Sequence, residues 1–464
     1  MPVRFQLNGI LIEESEVPPS MTVLDYLRES EGLKGTKEGC AEGDCGACTI
    51  AVQLPQGNVE AVNSCLMLVP QLDGLSVTTV EGLSQPDSPL HPVQRAFVDN
   101  HAAQCGFCTP GFVMALFAFE QSGEAATAET VHEAIAGNLC RCTGYRPIVD
   151  AAMSVDCVPE KHVPPALEHS SHYTDGDEDF FAPTTLTELV KLRLEHPNAY
   201  VYAGGTDLGM RASKDRESYG RVISTSHVSE LKRVEQSDGS VTLGAAVTYT
   251  DALPVLDEIA PSFAELVRRI GSRQIRNLGT IGGNVCNASP IGDTPPCLIA
   301  LNAVMIVHGP KGQREIPAEE FFIDYRKTAL NPDEILEALR IPLPQPDMLF
   351  RAYKISKRFD QDISAVVGAF ALEVEDGMVK SARVAFGGMA ATPARANACE
   401  NALIGKPWVF ETAIAAGTAI SGDFTPLTDF RASEDYRMRV ASNLLRRLYH
   451  DSDENDFVTE VMSL

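Results

Sequence analysis

Eight of the twelve cysteines of this chain fall into two groups of four within its first 142 residues, and no other feature constrains the fold as strongly. The first group is Cys40, Cys45, Cys48 and, after a gap of sixteen residues, Cys65; the second is Cys105, Cys108, Cys140 and Cys142. Grouped cysteines at such short spacings are typical of metal ligands. The chain must therefore fold so that each group of sulfur atoms comes together.

The start of the chain, MPVRFQLNGILIEE, lacks a cationic segment followed by a long apolar run, so we expect no secretory signal. Without export, cysteines act as thiolate ligands or buried thiols rather than as disulfides, and the cytoplasm is the expected compartment. The remaining four cysteines have no ligand spacing and are expected to be buried free thiols: Cys157, Cys286, Cys297 and Cys399.

The length and the net charge of the chain further limit the kinds of protein that it can be. A chain of 464 residues is expected to form two to four domains. The formal net charge of −25 argues against any general affinity for nucleic acid. No run of about 18 apolar residues is present, so a membrane span is not expected.

The spacing in the first cysteine group is that of a plant-type [2Fe–2S] cluster. Glycines at 39, 43 and 46 are expected to adopt positive φ angles and to aim backbone N–H groups at the thiolates. Zinc is the alternative for both groups. It usually takes two C-x2-C knuckles or a mixture of Cys and His, whereas three ligands of the first group share one glycine-bearing loop.

The second cysteine group is expected to lie at two helix starts. Cys105 and Cys108 precede Thr109-Pro110, with Thr109 predicted as the cap, and Cys140 and Cys142 precede a further helix. Free N–H groups and the positive end of the helix dipole would then lie beside the thiolates. Next to a ferredoxin-type loop, this group predicts a second [2Fe–2S] cluster.

Sequence periodicity predicts a multidomain α+β fold. Alternation around Asn8-Gly9 predicts a hairpin, and the strands and helix that follow predict a β-grasp, ferredoxin-like domain at 1–84. Four helical segments predict a helical domain at 85–155. Residues 156–178 are expected to be a linker, whose His162, His169 and His172 lack the spacing of metal ligands. Alternating strands and helices follow in an α+β domain at 179–345, and 346–464 forms a last lobe.

Two glycine-bearing turns are the candidate cofactor site of the third domain. Ala203-Gly204-Gly205-Thr206-Asp207 follows an apolar strand, and the second turn, Gly279 to Asn284, continues into Ala288 to Asp293. Paired glycines allow the backbone to approach a pyrophosphate closely. Neither turn is G-x-G-x-x-G, so a Rossmann fold is not supported, and two purely structural turns remain an alternative.

Three strings in the N-terminal part carry a family resemblance: GCAEGDCGACT (39–49), QCGFCTPG (104–111) and GNLCRCTGYRPI (137–148). In this order they resemble the iron–sulfur region of the molybdenum hydroxylases, the xanthine dehydrogenase family. AGGTD, TIGGNVCNASPIGD, FFIDYRKT, RFDQDIS and FGGMA are similar to the FAD domain of that family, which is of the vanillyl-alcohol-oxidase type.

The resemblance implies a set of FAD contacts: Val201, Tyr202, Ala203, Gly204, Gly205, Thr206, Asp207, Leu208, Ile270, Thr280, Ile281, Gly282, Gly283, Asn284, Asp293, Leu336 and Lys354. Of these, Ile270 and Leu336 depend on spacing alone. The segment Lys354–Asp362 is implied to lie where nicotinamide approaches the isoalloxazine, and Gln104 and Cys142 match family positions near the pterin.

The resemblance further implies an electron-transfer small subunit of a bacterial two-subunit member of the family. Its expected partner is a separate large subunit with molybdopterin, in a dimer of heterodimers, and no catalytic residue for the substrate is expected in this chain. Electrons would pass from molybdenum to the second cluster, then to the first, then to FAD and NAD+, while xanthine or hypoxanthine is oxidised.

Three other interpretations remain open. A related enzyme of the family would act on aldehydes, nicotinate or an aromatic acyl-CoA. A zinc-stabilised scaffold would contain neither iron nor flavin. A free-standing carrier that oxidises NADH would need no partner.

Overall fold

The computed structural model describes residues 2–85, 87–155, 167 and 169–452. The chain forms two compact units. The first comprises Met1–Ser229, Thr248–Thr250 and Gly271–Thr280, and the second comprises Glu230–Val247, Asp251–Ile270 and Ile281–Leu464. The α+β domain predicted at 179–345 thus contributes residues to both units. In the part of the chain that is described, no helix has both the length and the apolar character needed to cross a bilayer.

The strands are β1 (Val3–Leu7), β2 (Ile10–Glu14), β3 (Thr49–Gln53), β4 (Val59–Asn63), β5 (Ser76–Thr78), β6 (His172–Asp175), β7 (Glu178–Phe181), β8 (Tyr200–Tyr202), β9 (Arg221–Ser224), β10 (Val234–Ser237), β11 (Ser240–Gly244), β12 (Val304–Gly309), β13 (Gly312–Pro317), β14 (Phe322–Asp324), β15 (Lys327–Thr328), β16 (Ile335–Pro342), β17 (Met348–Ile355), β18 (Val366–Glu375), β19 (Met378–Gly387) and β20 (Ala394–Arg395).

The α-helices are α1 (Val23–Asp25), α2 (Pro92–Asp99), α3 (Thr109–Ser122), α4 (Ala128–Ile135), α5 (Arg146–Met153), α6 (Leu186–Glu195), α7 (Gly209–Ser213), α8 (Tyr249–Ile259), α9 (Pro261–Arg268), α10 (Arg273–Arg276), α11 (Ile281–Asn287), α12 (Thr294–Ala300), α13 (Ala318–Phe321), α14 (Asn397–Leu403), α15 (Phe410–Ala419) and α16 (Glu434–Ser452). Helix α1 continues as a π-helical turn, Tyr26–Ser30.

The N-terminal sheet has the strand order β2-β1-β5-β3-β4. Asn8 and Gly9 both have positive φ angles, 52° and 82°, as a type I′ hairpin turn requires, so the predicted β1–β2 hairpin is confirmed. Strand β5 pairs in parallel with β1 and antiparallel with β3. Because Val3, Phe5 and Leu7 are all buried, the other face of β1 is left for polar residues.

The four helices predicted between 85 and 155 are present as α2 to α5. Helix α3 begins at Thr109, and its cap position is occupied by Cys108, not by Thr109 as predicted. The reason is that the Cys108 carbonyl already accepts the first helical hydrogen bond, from the Phe112 N–H at 3.2 Å. The helix start therefore lies directly beside a cysteine of the second group.

A second sheet in the first unit has the order β6-β7-β9-β8, in which β7, β9 and β8 run parallel. Residues 156–166 and 168 of the predicted linker, with Cys157 and His162, lie outside the described residues. The linker prediction extends too far, since His172–Asp175 is strand β6, paired with β7. The cause is that the apolar side chain of Tyr173 is buried in the core, which the polar character of its neighbours conceals.

The second unit contains a sheet of order β10-β11-β16-β12-β13, the small pair β14-β15, and a sheet of order β17-β18-β19-β20. Strand β16 is the central strand of its sheet and is buried over most of its length. The last sheet packs with α14, α15 and α16 around an apolar core that includes Phe370, Phe386 and Leu445. The multidomain α+β fold expected from the sequence is confirmed.

Candidate iron–sulfur and flavin sites

The first cysteine group is assembled by the β3–β4 hairpin. Cys48 immediately precedes β3, and Cys65 follows β4 by two residues. Because the strands are antiparallel, with Thr49 opposite Asn63, both cysteines lie at the same end of the hairpin. The Ser64 hydroxyl donates to the Cys48 carbonyl at 2.7 Å and ties the two strand ends together.

The sulfur atoms of the first group lie in two pairs. Cys40 contacts Cys45 and Cys48 contacts Cys65, each pair within hydrogen-bonding distance. Cys40 is also near enough to interact electrostatically with both members of the other pair. The N–H groups of Cys45 and Glu42 donate to Cys40 Sγ, at 3.3 and 3.5 Å. Backbone donors therefore surround the sulfur atoms, as a cluster with negative charge requires.

The glycines of the first cysteine loop are required for two different reasons, backbone conformation and lack of space. Gly43 and Gly46 have positive φ angles, 77° and 64°, as predicted. Gly39 does not, and the prediction for it is wrong; a Cβ atom there would lie 2.8 Å from Cys45 Sγ, so space rather than φ requires glycine. The additional positive φ angle belongs to Ala41, at 57°.

In each pair of the first group, the pKa values of the two thiols are shifted in opposite directions. The hydrogen bond from Cys45, together with nearby backbone N–H groups, lowers the pKa of Cys40 to about 5, although burial opposes this. The hydrogen bond from Cys65 likewise lowers the pKa of the buried Cys48, while the pKa of Cys65 is raised. In each pair, therefore, one thiol ionises more readily than its partner.

The second cysteine group lies at the starts of α3 and α5, as predicted. Cys105 and Cys142 have their sulfur atoms 3.5 Å apart, and Cys108 pairs with Cys140. Burial opposes ionisation of Cys140, but the hydroxyl and the N–H of Thr143, at 3.1 and 3.4 Å, outweigh it and lower its pKa. Burial raises the pKa of Cys108 to about 12.

Both groups thus consist of two sulfur pairs. Among the residues that are described, no three side chains of His, Cys, Asp or Glu are grouped as the ligands of one metal ion would be. Two pairs are the arrangement that suits a cluster of two irons, with two thiolates for each iron. The residues present therefore fit a [2Fe–2S] cluster in each group.

The two groups differ in exposure. Cys48 and Cys65 are 2% and 1% exposed, whereas Cys105 and Cys142 lie in the exposed class. Cys40, Cys45 and Cys108 are intermediate and Cys140 is buried, so the exposed thiols among the eight all belong to the second group.

The first glycine-bearing turn follows β8 in the first unit. Gly205 has a φ of 75°, and a Cβ atom on Gly204 would lie 1.6 Å from the Leu278 carbonyl oxygen, so both positions require glycine. Tyr202 is fully buried, and its hydroxyl donates to the Leu66 carbonyl at 3.1 Å. Val201, by contrast, is 36% exposed. The Tyr202 side chain is therefore part of the core, whereas the residues from Ala203 to Leu208 are partly exposed, apart from the buried Gly205.

The second glycine-bearing segment is mostly helical. Thr280 ends the first unit, and Ile281 begins helix α11, so the predicted turn is wrong for Ile281, Gly282, Gly283 and Asn284. A Cβ atom on Gly282 would lie 2.4 Å from the Ala245 carbonyl oxygen, which explains the glycine by close packing. The sequence does not distinguish a ligand-binding turn from a closely packed helix, since paired glycines are suited to both.

Asp293 is the centre of a buried polar group in the second unit. Its carboxylate accepts hydrogen bonds from Lys354 Nζ at 2.5 Å and from the Ser364 hydroxyl at 2.6 Å. All three side chains are at most 7% exposed as residues. Arg269 donates to the Lys354 carbonyl at 3.0 Å and lies over the Phe359 ring at 4.5 Å. The structure therefore brings together Lys354 and Asp293, two residues that the resemblance predicts to contact FAD.

Three further predicted residues, Leu336, Ile270 and Gln104, have local contacts or positions that do not test their roles. Leu336 is buried in β16, opposite Val307, and Ile270 follows α9 with its N–H bonded to the Val267 carbonyl. Gln104 is exposed and directly precedes Cys105. Their predicted roles remain predictions.

Sequence reasoning missed two amide side chains between the cysteine groups, Asn138 and Gln274. Both are buried, and Gln274 donates to Asn138 Oδ1 at 2.9 Å. Single amide residues separated by 136 positions carry no pattern that could reveal such a pair. It also missed Tyr145, whose hydroxyl accepts from the Cys140 N–H at 2.9 Å.

Four family descriptions match the chain in succession. They are a 2Fe-2S iron-sulfur cluster binding domain (5–69), a [2Fe-2S] binding domain (79–153), the FAD binding domain in molybdopterin dehydrogenase (174–344) and the CO dehydrogenase flavoprotein C-terminal domain (351–452).

Curated relatives include xanthine dehydrogenase of Dictyostelium discoideum, with 33% identity over 87% of this chain and 37% of that protein. Xanthine dehydrogenase 1 of Arabidopsis thaliana is 32% identical over 87% of this chain and 36% of its own length. The chain thus spans little more than a third of these relatives.

Among solved structures, carbon monoxide dehydrogenase from Hydrogenophaga pseudoflava matches with a TM-score of 0.56 and 28% identity, over 58% of this chain and 94% of that one. Quinoline 2-oxidoreductase from Pseudomonas putida 86 matches with a TM-score of 0.55 and 25% identity, over 59% and 95%. With the four domains in this order, the chain belongs to the molybdenum hydroxylase family and carries two [2Fe–2S] domains and an FAD domain.

Proposed function

We propose that this chain is the iron–sulfur and FAD subunit of a xanthine dehydrogenase. It passes electrons from a molybdenum centre, held with molybdopterin by a separate large subunit, to FAD and then to NAD+. The clusters carry single electrons, and FAD joins them to a hydride transfer that clusters cannot perform. The role of the protein is to hold, space and insulate these groups.

The difference in exposure between the two cysteine groups carries this proposal. Electrons from another chain must enter at a site near the surface, and Cys105 and Cys142 are exposed. Electrons that remain inside the chain need insulation from solvent and dioxygen, and Cys48 and Cys65 are buried. The order from the second group to the first follows from this asymmetry.

The first group in turn lies next to the first glycine-bearing turn. Leu66, which follows the ligand Cys65, accepts a hydrogen bond from Tyr202, and a Cβ atom on Gly209 would lie 2.3 Å from the Leu66 carbonyl oxygen. The backbone that precedes α7 therefore packs directly on the chain segment of Cys65. This supports FAD as the acceptor of electrons from the first cluster, with Val201–Leu208 and Thr280–Asn284 as its diphosphate contacts.

We further propose that Lys354, held in place by Asp293, lies beside the flavin and that the segment Lys354–Asp362 meets NAD+. Lys354 is held by Asp293 and, through its carbonyl, by Arg269. Lys357 and Arg358 of this segment are exposed cations, suited to the phosphates of a dinucleotide.

Xanthine and hypoxanthine are the proposed substrates of the complex, because the full-length relatives that match over most of this chain are xanthine dehydrogenases. A second candidate is an enzyme for aldehydes or N-heterocycles. The likeness to quinoline 2-oxidoreductase favours it. We propose the cytoplasm as the compartment, since eight thiolate ligands need reducing conditions, and a dimer of heterodimers as the assembly.

The first experiment is a visible spectrum of the purified chain with counts of iron, acid-labile sulfide and flavin. We expect four irons, four sulfides and one FAD for each chain, from two binuclear clusters and one flavin. Zinc without sulfide or flavin would support the scaffold and refute the proposal.

The second experiment reconstitutes the chain with a molybdopterin-containing large subunit and tests xanthine, hypoxanthine, an aldehyde and quinoline with NAD+. Reduction of NAD+ by purines is the expected result. Activity on the aldehyde or quinoline alone would move the assignment to the second candidate. NADH oxidation at full rate with no association with a large subunit would indicate the free-standing carrier.

A further inference from the structure

The loops of the two cysteine groups are in direct backbone contact. The carbonyl oxygen of Cys45 accepts a hydrogen bond from the Leu139 N–H at 2.9 Å, and Leu139 is bonded to Cys140. One hydrogen bond and a few covalent bonds therefore connect a ligand of the first group to a ligand of the second. The Leu139 side chain takes no part, since it is 56% exposed.

Three glycines make this contact possible. A Cβ atom on Gly46 would lie 2.1 Å from the Gly137 carbonyl oxygen, and one on Gly111 would lie 2.3 Å from the Gly46 carbonyl oxygen. Both distances are far below any contact that a real methyl group makes. The two loops are therefore as close as backbone atoms allow.

Two buried amides fix the register of the loops. Asn138 Nδ2 donates to the Gly46 carbonyl at 2.9 Å, and Gln274 Nε2 donates to Asn138 Oδ1 at 2.9 Å and to Thr49 Oγ1 at 3.4 Å. Asn138 is 2% exposed and Gln274 is fully buried. Gln274 thus contacts groups on both sides of the loop contact.

Gln274 reaches this place from a different part of the sequence. It belongs to α10, within the range that matches the FAD-binding domain. Arg273 pairs with Glu124 at 2.8 Å, and Arg276 pairs with Glu133 at 3.0 Å, which anchors α10 on the segments around α3 and α4. Within the described residues, the Oε1 atom of Gln274 accepts no hydrogen bond.

We infer that Gln274 is a positioning residue for electron transfer between the two iron–sulfur clusters. It holds Asn138, and through Asn138 it holds the Cys45–Leu139 hydrogen bond at a fixed length. This inference rests on the proposed function, because it takes both cysteine groups as electron carriers in one path.

The test compares Gln274→Met, which keeps the length of the side chain and removes its donor, with Gln274→Asn, which keeps the amide but is one methylene shorter. Gln236→Met is the matched control, since it makes the same change at an exposed glutamine of β10 outside this network. All are measured in the full chain with its cofactors. One readout is the magnetic interaction between the two reduced clusters in low-temperature EPR spectra, which falls with the cube of their separation.

The other readout is the rate of electron equilibration between the clusters after rapid photoreduction. Since the rate of electron tunnelling falls steeply with the separation of donor and acceptor, we expect both Gln274 variants to slow this step severalfold. The magnetic interaction between the clusters should change together with this rate, while the content of iron, sulfide and FAD stays the same. Gln236→Met should match the wild type in both readouts.

Two results overturn the inference alone. One is an unchanged rate and magnetic interaction in both Gln274 variants with two clusters present. The other is loss of a cluster from both variants but not from the control, because Gln274 would then serve assembly and not position. A wild-type chain without iron and sulfide would instead contradict the proposed function, and this inference with it.

Discussion

The substitution Gly111→Ala separates helix propensity from close packing. Gly111 lies in the first turn of α3, where alanine is intrinsically better than glycine by about 0.5–1 kcal/mol. On propensity alone, the variant should be more stable than the wild type. The structure predicts the opposite, because the new methyl group would meet the Gly46 carbonyl oxygen at 2.3 Å and Ala47 Cα at 3.2 Å.

The size of the effect follows from what must move. Both obstacles are backbone atoms of the first cysteine loop, and overpacking of this kind costs about 1–3 kcal/mol. A shift of Gly46 also weakens the hydrogen bonds that its carbonyl accepts from Asn138 and Thr49, each worth about 1 kcal/mol. After the gain in helix propensity is subtracted, we expect a net loss of about 2 kcal/mol.

The assay is thermal unfolding followed by the visible absorbance of the clusters and by circular dichroism. For a cooperative unit of this size, each 1 kcal/mol lowers Tm by about 2–4 °C, so a decrease of several degrees is expected. The matched control is Gly422→Ala, since a methyl group there would meet only Ala398 Cβ at 3.6 Å. It should leave Tm unchanged or slightly raised. A Gly111→Ala variant as stable as this control would show that the two loops are not held in contact.

Three further predictions test the carriers, the flavin contacts and the electrostatics. Cys140→Ser should abolish transfer from the molybdenum subunit to NAD+ while NADH-to-dye activity at the flavin is retained; loss of both with FAD still bound would reverse the proposed order. Lys354→Met removes the partner of the buried Asp293, so a loss of about 3–5 kcal/mol and release of FAD on dialysis are expected. Lys357→Met, at an exposed position, is its control, and equal FAD retention in both would contradict the role of Lys354. The hydrogen bond from Arg314 lowers the pKa of Glu334 from 4.5 to about 2, so the stability this pair adds is fully present above pH 4.5 and is lost as the pH falls toward 2. Urea unfolding should show Glu334→Gln less stable than the wild type at pH 7 and equal to it near pH 2; a constant difference would refute the shift.

Local sequence determined the elements whose cause is local. Asn8-Gly9 fixes a type I′ turn because both residues tolerate positive φ, and the alternation of Val3, Phe5 and Leu7 defines the buried face of β1. The cysteine spacing likewise predicted both ligand groups, since the sulfur atoms of each group come from short loops at strand ends or helix starts. These patterns depend on neighbours in sequence and can be read without the fold.

Where one sequence pattern is compatible with two different structures, the sequence could not show which of them forms. Gly39 and Gly282 were predicted as flexible turn residues, yet each is required by the space beside Cys45 Sγ or the Ala245 carbonyl. Strand β6 was assigned to the linker because its neighbours are polar, although Tyr173 is buried. In each case the reason is packing in the folded chain, which the local pattern does not show.

The sequence by itself determined that this chain has two groups of four cysteines and the glycine-bearing segments of a flavin domain in one polypeptide. Only the tertiary structure decided that the Cys45 carbonyl meets the Leu139 amide and that Gln274 is enclosed between the two loops. The physical reason is that thiolate ligation is encoded in short spacings, whereas the contact between ligand loops depends on backbone atoms and single amides that come together only when distant segments pack.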